Sequence, residues 1–286
     1  MIRLGVDTLC WHMRLEGGAV ALEGVLEEAR ELQAQCVQVN LYHARERSLG
    51  ELEALRQEAG DLPLLASGDF LGAAREGAAV ADGVERVRRW LERATALGSP
   101  ILRVASGFYR AELAGRPDLI GLEQAYVTDV LDRTADEARA HGITLLLENH
   151  SDFTAAEYEA IVASVGAERI GVFLDLTNAV AALEDPLPVV ERLAPLARAG
   201  HVKDFVLRSI QQPDCYHRRG FEVLYRYPGE GVAPLPELVR ALARGVDGRD
   251  YDLTIEGLDN TADTDDQRAR LAPSLERLRL LIEEAV

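Results

Sequence analysis

Short apolar runs alternate along the chain with longer segments in which apolar residues return every three or four positions. Apolar runs of about four to eight residues are typical of buried strands, and the longer spacing is typical of helices that bury one face. Their alternation predicts repeated βα units around a parallel sheet. The predicted strands are Arg3–Thr8, Cys36–Asn40, Pro63–Phe70, Ile101–Ser106, Thr144–Asn149, Ile170–Asp175, Gly200–Asp204 and Asp252–Gly257.

Segments with the helical period lie between these strands and should pack outside the sheet. Clear examples are Ala19–Gln33, Val80–Leu97, Leu122–His141, Pro188–Ala197 and, after the last strand, Gln267–Glu284. Eight strands in this alternation predict a single (β/α)8 TIM barrel over residues 1–286. A doubly wound open sheet is the alternative, but no Gly-x-Gly-x-x-Gly turn follows the first strand.

The segment at about 205–235 is longer than a plain βα connection and is rich in aromatic and basic residues. Long loops are often functional, and we interpret this one as an active-site lid. It would bring Arg208, Arg218 or Arg219 to an anionic group of a substrate. A dimer contact is the alternative, which leaves a homo-oligomer open.

Composition and charge narrow the range of partners. The formal net charge of −17 would repel nucleic acid and anionic lipid surfaces. No apolar run approaches the roughly 18 residues that span a bilayer, and the N-terminus lacks the pattern of a secretory signal. The three cysteines are far apart and fit neither a disulfide framework nor a cysteine-rich zinc site. We therefore expect a cytoplasmic protein with no nucleic-acid or membrane partner.

Four late strands end in residue types that bind metal ions. All strands of a parallel barrel end at one face, so these side chains should point into the same central space. Three carboxylates and an imidazole make an oxygen-rich set, and the carboxylates would repel one another without a cation among them. The residues are Glu148, Asp175, His201 and Glu256.

This set predicts one divalent metal ion, with Mn²⁺ expected first and Mg²⁺, Co²⁺ or Zn²⁺ as alternatives. A structural role stays open for each residue taken alone. Asp175 would then cap the helix that follows it, and His201 would be a hydrogen-bonded core histidine.

The set Glu148-Asn149-His150, Asp175-x-x-Asn178, His201-x-Lys203-Asp204 and Glu256 resembles the xylose isomerase-like barrel superfamily. That group contains sugar isomerases, sugar epimerases, inosose dehydratase-type lyases and an endonuclease branch. The resemblance implies that the four strand-end residues are the metal ligands. It also implies that Glu148 and Glu256 act as acid and base groups.

The chain departs from parts of this superfamily. Many of its epimerases have histidine where this chain has Asn178, and the form His201-x-Lys203-Asp204 looks more like the dehydratase branch. The endonuclease branch needs more histidines than the six present here.

Further polar residues should surround the metal ligands. Lys203 is on the same side of its strand as His201 and is a candidate catalytic residue that stabilises an oxyanion, with a buried ion pair as the alternative. Four other positions are candidate substrate-binding residues beside Arg208. They are His12, Arg103, His150 and Asn178.

These residues predict an enzyme that acts on a small carbohydrate. A metal ion that chelates adjacent oxygens of a hydroxy-ketone stabilises an enediolate. Our first hypothesis is an isomerase or epimerase of a keto-sugar or sugar acid, with Glu148 or Glu256 moving a proton. A decarboxylase or dehydratase of a keto-sugar acid is a close alternative. A non-catalytic carbohydrate-binding or assembly subunit is the alternative from another class.

Overall fold

The computed structural model describes residues 1–210, 220–257 and 267–285. Its strands are β1 (Ile2–Asp7), β2 (Val37–Asn40), β3 (Leu64–Phe70), β4 (Ile101–Ala105), β5 (Thr144–Glu148), β6 (Ile170–Phe173), β7 (Ala197–Val202), β8 (Asp204–Ser209), β9 (Phe221–Arg226) and β10 (Tyr251–Ile255). Eight of them pair in parallel and close a barrel in the order β1-β10-β7-β6-β5-β4-β3-β2. The predicted (β/α)8 barrel is confirmed.

Helices connect the barrel strands and pack on their outer side. They are α1 (His12–Glu16), α2 (Leu22–Glu31), α3 (Leu49–Ala59), α4 (Val80–Leu97), α5 (Pro117–Ala140), α6 (Ala155–Val165), α7 (Pro186–Leu193), α8 (Leu235–Val246) and α9 (Gln267–Ala285). In α4, Val84, Val87, Leu91 and Ala94 are buried, which is the spacing of one helical face. Within the described residues, no helix has both the length and the apolar character that a membrane span requires.

The helix predicted at Pro188–Ala197 was placed too far along the chain. Helix α7 begins at Pro186, where the missing N–H of proline costs no hydrogen bond, and the Asp185 side chain accepts from the backbone of Leu187. A short 3₁₀ turn then follows to Leu196, and Ala197 already belongs to β7. The turn-forming residues upstream therefore start the helix earlier than its apolar pattern suggests.

The segment predicted as a long loop at about 205–235 contains a β-hairpin. Strands β8 and β9 pair antiparallel, with Phe205 opposite Tyr225 and Leu207 opposite Val223. Both runs are rich in apolar and aromatic residues that favour strands, and this pattern was overlooked because a βα repeat has no place for an extra hairpin. Residues 211–219, which include the predicted lid residues Arg218 and Arg219, lie outside the described residues.

An apolar layer fills the barrel below the face at which its strands end. Leu146 and Phe173 belong to a buried cluster that also contains Leu65 and Ile101. Side chains alternate along a strand, so Leu146 is on the same side of β5 as Glu148. The polar residues at the strand ends therefore lie directly above a buried apolar layer, where an unpaired charge is energetically costly.

Candidate metal centre

The four strand-end residues of the sequence analysis come together at one point. Glu148 is the last residue of β5, and His201 lies within β7. Asp175 and Glu256 follow the ends of β6 and β10. One ligand atom from each residue lies within 4.8 Å of the others, and all four side chains are buried.

Glu148 is surrounded by hydrogen-bond donors. Its Oε2 accepts from the buried guanidinium of Arg103, and its Oε1 lies 3.2 Å from His201 Nδ1 and 3.4 Å from Asn178 Nδ2. Burial would raise the pKa of Glu148, but Arg103 and His201 outweigh it and hold that pKa well below its ordinary value. Glu148 is therefore an anion in this site.

Asp175 is positioned by its backbone and by one of its oxygens. The Asn149 side chain accepts from the Asp175 N–H at 2.7 Å and donates to the Asp175 carbonyl at 2.9 Å. Asp175 Oδ1 accepts from the backbone N–H groups of Thr177 and Asn178, at 2.8 and 2.7 Å. The capping role considered for Asp175 thus uses Oδ1, and Oδ2 remains directed at Lys203 Nζ, 2.8 Å away.

Glu256 and Lys203 form a buried ion pair between β10 and β7. The Lys203 ammonium also contacts Asp175 and lies 4.5 Å from the centre of the Tyr225 ring. Burial opposes the charge of Glu256, but Lys203 and His201 lower its pKa to about 2. Burial likewise opposes the charge of Lys203, but Asp175 and Glu256 raise its pKa well above the ordinary value.

Lys203 is the one lysine of the whole sequence, because every other basic side chain apart from histidine is arginine. Lysine carries a compact point charge, whereas arginine spreads its charge over a planar fork. The chain thus places its compact point charge in a buried cluster, where the ammonium contacts two carboxylates.

A single lysine allows a direct test of its charge. In protein freed of metal with a chelator, Lys203 should remain protonated beyond the ordinary lysine pKa of about 10.4, because two carboxylates contact its ammonium. Protein labelled with ¹³C,¹⁵N-lysine gives one side-chain signal, which should not titrate between about pH 6 and 10.4. Titration within that range would show that the ammonium is not paired as the structure has it.

The charges of the cluster fit a divalent cation. Four buried carboxylates face two cationic side chains and one imidazole, so a divalent ion would balance the negative charges with the imidazole neutral. The carboxylates are Asp7, Glu148, Asp175 and Glu256, and the basic groups are Arg103, Lys203 and His201. Carboxylate and imidazole ligands in this number suit Mn²⁺, Mg²⁺, Co²⁺ or Zn²⁺.

Binding of the ion should release a proton from His201. Burial would lower the pKa of this imidazole, but Glu256, Asp7 and Glu148 raise it to about 10 in the protein without an ion. Below that pH a cation must displace the proton, so ion affinity should rise about tenfold per pH unit between about pH 7 and 9. Calorimetry in two buffers of different ionisation enthalpy would count the proton. No released proton at pH 7 would contradict this.

The other predicted substrate-binding residues lie in different settings. His150 is half-buried, and its ring packs edge-on against Phe70 at 5.3 Å. Arg103 and Asn178 donate to the carboxylate of Glu148, so the structure places them as supports of a candidate metal-binding residue. His12 lies at the rim of the same face, where its Nδ1 is 2.9 Å from His43 Nε2.

Arg208 lies on the hairpin with a largely exposed side chain and pairs with Glu222. The contacts of the described residues do not join Arg208 to the four ligands, so the structure does not bring it to the centre as the sequence analysis expected.

Three residues of the centre have no role assigned to them by the sequence analysis. Asp7 ends β1 and lies 3.4 Å from His201 Nε2, and the strand-end rule applied to β1 would have found it. Asn149 follows Glu148 directly, but its contact with Asp175 depends on the neighbouring strand. Tyr225 reaches Lys203 only because of the hairpin, which no local pattern placed over the barrel.

A cavity of about 440 Å³ lies beside Tyr225 of the hairpin. Tyr225, which contacts Lys203, forms part of its wall together with Ser151, and the remaining wall is largely apolar. A larger cavity of about 740 Å³ lies outside the barrel between α3 and α4 and does not include the four ligands among its lining residues. The four ligands line neither cavity, but the one beside Tyr225 is linked to the centre by the contact of the Tyr225 ring with Lys203. Its lining residues include Tyr109, Val180, Leu183, Phe221 and Val223.

The model of the xylose isomerase-like TIM barrel family matches residues 26–280. The chain belongs to this family. Its members share the barrel described above, so the resemblance inferred from the strand-end motifs is confirmed.

One curated relative is 3-oxo-isoapionate decarboxylase of Pectobacterium atrosepticum. It is 29% identical over 206 residues, which cover 71% of this chain and 68% of that protein.

Several solved structures show the same fold at low sequence identity. D-psicose 3-epimerase, crystallised in the presence of D-fructose, superposes with a TM-score of 0.73 at 20% identity and covers 98% of this chain and 99% of its own. The IolI protein with a bound zinc atom superposes with a TM-score of 0.69 at 13% identity, and the match covers 99% of both chains. The probable 3-DHS dehydratase AsbF of Bacillus anthracis superposes with a TM-score of 0.65 at 16% identity, and the match covers 98% of this chain and 99% of AsbF. At 13 to 20% identity these likenesses establish the shared fold, and the fold does not decide the type of reaction.

Proposed function

We propose that this protein is a divalent-metal-dependent lyase that releases CO₂ from a small β-keto sugar acid. In the sequence analysis a lyase was the alternative to an isomerase or epimerase. The lyase becomes the first hypothesis because each of the two glutamates is paired with a cationic side chain. Glu148 pairs with Arg103, and Glu256 pairs with Lys203.

The paired glutamates are poor proton acceptors. Epimerisation through an enediolate begins when a base removes a proton from carbon, and a base works best when its pKa is near the working pH. The pKa of Glu256 is about 2, and Arg103 and His201 hold that of Glu148 well below its ordinary value. Each carboxylate would also have to leave a buried cation before it accepted a proton, at considerable electrostatic cost.

Decarboxylation of a β-keto acid needs no base for its first step. The bond from the α-carbon to the carboxylate breaks, CO₂ leaves, and the electron pair moves onto the ketone oxygen as an enolate. Positive charge near that oxygen lowers the barrier. The Lys203 ammonium, fixed between Asp175 and Glu256, is a preorganised charge for this purpose.

A divalent ion held by Glu148, Asp175, His201 and Glu256 would supply a Lewis acid that polarises the ketone. We propose Mn²⁺ for this role, because three carboxylates and one imidazole are ligands that it accepts readily.

A proton must then replace CO₂ on the α-carbon. We propose that His150 holds it, because the ring lies at the mouth of the centre and its buried Nδ1 has no hydrogen-bond partner among the described residues. The curated relative is a decarboxylase whose name specifies a 3-oxo acid, which is the arrangement that this step requires.

The test uses purified protein loaded with Mn²⁺ and a panel of 3-oxo sugar acids labelled with ¹³C in the carboxylate. Release of labelled CO₂, with one solvent deuterium fixed on carbon when the reaction runs in D₂O, is the expected result. Ketoses of equal length without a carboxylate are the matched control and should be left unchanged.

Epimerisation is the second candidate, because Glu148 Oε1 and Glu256 Oε1 lie 3.2 and 3.6 Å from the same atom, His201 Nδ1, and could serve two faces of one substrate. Solvent deuterium entering a ketose or sugar acid without loss of CO₂ would establish it and overturn the lyase. No turnover on either panel would favour a non-catalytic carbohydrate-binding subunit. A cytoplasmic location stays a prediction of the sequence.

A further inference from the structure

The two ring nitrogens of His201 face different groups. Nδ1 is directed at the other ligands, 3.2 Å from Glu148 Oε1 and 3.6 Å from Glu256 Oε1. The ring is held by edge-on contact with Phe173, with 4.6 Å between the ring centres. An ion that also bound the two glutamates would therefore meet the Nδ1 lone pair, provided that the proton of the neutral ring is on Nε2.

Nε2 faces a carboxylate that is not one of the four ligands. Asp7 ends β1, and its Oδ2 lies 3.4 Å from Nε2. Neither atom has a hydrogen-bond partner among the described residues, although both side chains are almost completely buried. The other oxygen of Asp7 has a separate task, because Oδ1 accepts from the backbone N–H of Leu9 at 2.7 Å and caps the turn that follows β1.

We propose that Asp7 is a positioning residue for the metal ligand His201: its Oδ2 accepts a hydrogen bond from Nε2–H and so leaves Nδ1 free to bind the ion. This inference rests on the metal centre of the proposed function and is independent of which carbohydrate is converted.

The arrangement has physical consequences for the ion. A carboxylate behind a ligand histidine selects one tautomer, fixes the ring plane and makes the ligand nitrogen more basic. Asp7 acts from β1, which is separated from β7 in the barrel by β10, so it ties the ligand to a strand that contributes no ligand of its own. A buried, otherwise unpaired carboxylate oxygen is costly, and this hydrogen bond accounts for it.

The sharpest test is Asp7→Asn, because the two oxygens of Asp7 have different roles. The asparagine carbonyl can still accept from Leu9, so the cap is kept. The amide NH₂ that replaces Oδ2 cannot accept from Nε2–H and instead favours the tautomer with the proton on Nδ1. Mn²⁺ affinity, measured by calorimetry on metal-free protein, should fall about 10- to 100-fold.

A second measurement reads the tautomer directly. With ¹⁵N-histidine and Zn²⁺, the His201 signals of the wild type should show a protonated Nε2 and a metal-bound Nδ1, assigned by their loss in His201→Asn. The control is Asp252→Asn, which removes a buried carboxylate at the opposite end of the barrel, where it pairs with Arg3. This variant should bind Mn²⁺ as the wild type does.

The outcomes are distinguishable. Equal Mn²⁺ affinity of wild type and Asp7→Asn, or a proton on Nδ1 in the Zn²⁺-loaded wild type, would overturn the role of Asp7 and leave the lyase proposal standing. A wild type that binds neither Mn²⁺ nor Zn²⁺ would overturn both. Failure of every substrate together with weakened Mn²⁺ binding in Asp7→Asn would refute the lyase alone.

Discussion

Replacing Glu148 with glutamine is expected to reduce both divalent-ion affinity and turnover by more than about a hundredfold. Substituting a residue that only hydrogen-bonds to a metal ligand already lowers ion affinity or activity by about 10- to 100-fold, and Glu148→Gln removes the charge of a ligand itself. It also leaves the buried Arg103 without its counterion, which should lower the free energy of unfolding by about 3 to 5 kcal/mol. Calorimetric titration with Mn²⁺ and thermal unfolding would measure the two effects separately.

Glu157 supplies a matched control on the same face of the barrel. It pairs with Arg110 and caps α6, but both side chains are partly exposed and neither contacts a ligand. Glu157→Gln should therefore keep the ion affinity of the wild type and lose much less stability, because water screens the pair. If Glu148→Gln bound Mn²⁺ as tightly as Glu157→Gln does, Glu148 would not be a ligand.

The barrel could be predicted from the sequence because its signals are local and repeated. Each predicted strand overlaps an observed one, since most barrel strands are short apolar-rich runs and several of the helices between them show the helical period. The strand-end rule then gave the four candidate ligands, because the fold places all strand ends at one face. Nothing in that reasoning depended on a contact between distant side chains.

The rest of the centre depends on such contacts. The pairing of Arg103 with Glu148 turns a predicted substrate-binding residue into a group that holds a ligand, and β4 alone gives no sign of it. The Lys203 pair with Glu256 joins β7 to β10. The hairpin that brings Tyr225 to Lys203 lies between two barrel strands, where a repeat of βα units has no position for it.

These contacts explain how one set of ligands can serve different reactions. The four candidate ligands would place an ion and leave the choice of bond open, whereas the groups that pair with them affect whether a glutamate is free to act as a base. In this chain both glutamates are paired. Under the proposed function Lys203, more than the four ligands, would decide the reaction, and its removal should separate ion binding from turnover.

Lys203→Met is expected to bind the divalent ion more tightly and yet to release CO₂ about 100- to 1,000-fold more slowly. Methionine has a similar length without the charge, so Asp175 and Glu256 lose a competing cation and the ion gains their full attraction. Removal of a preorganised charge beside a developing enolate costs about that much in turnover. Calorimetry with Mn²⁺ and the labelled-CO₂ assay at saturating Mn²⁺ would measure the two effects.

The opposite directions of these two effects make the prediction specific. If Lys203 only balanced charge, Lys203→Met would keep its turnover once the ion was bound. If Lys203 only supported the fold, the substitution would weaken both ion binding and turnover. The conservative variant Lys203→Arg keeps the charge but spreads it over a wider fork, so it should restore ion affinity to the wild-type level and restore only part of the turnover. Loss of Mn²⁺ binding in Lys203→Met would show that the ammonium is needed to form the ion site. Full turnover in Lys203→Met would show that the ammonium takes no part in the reaction.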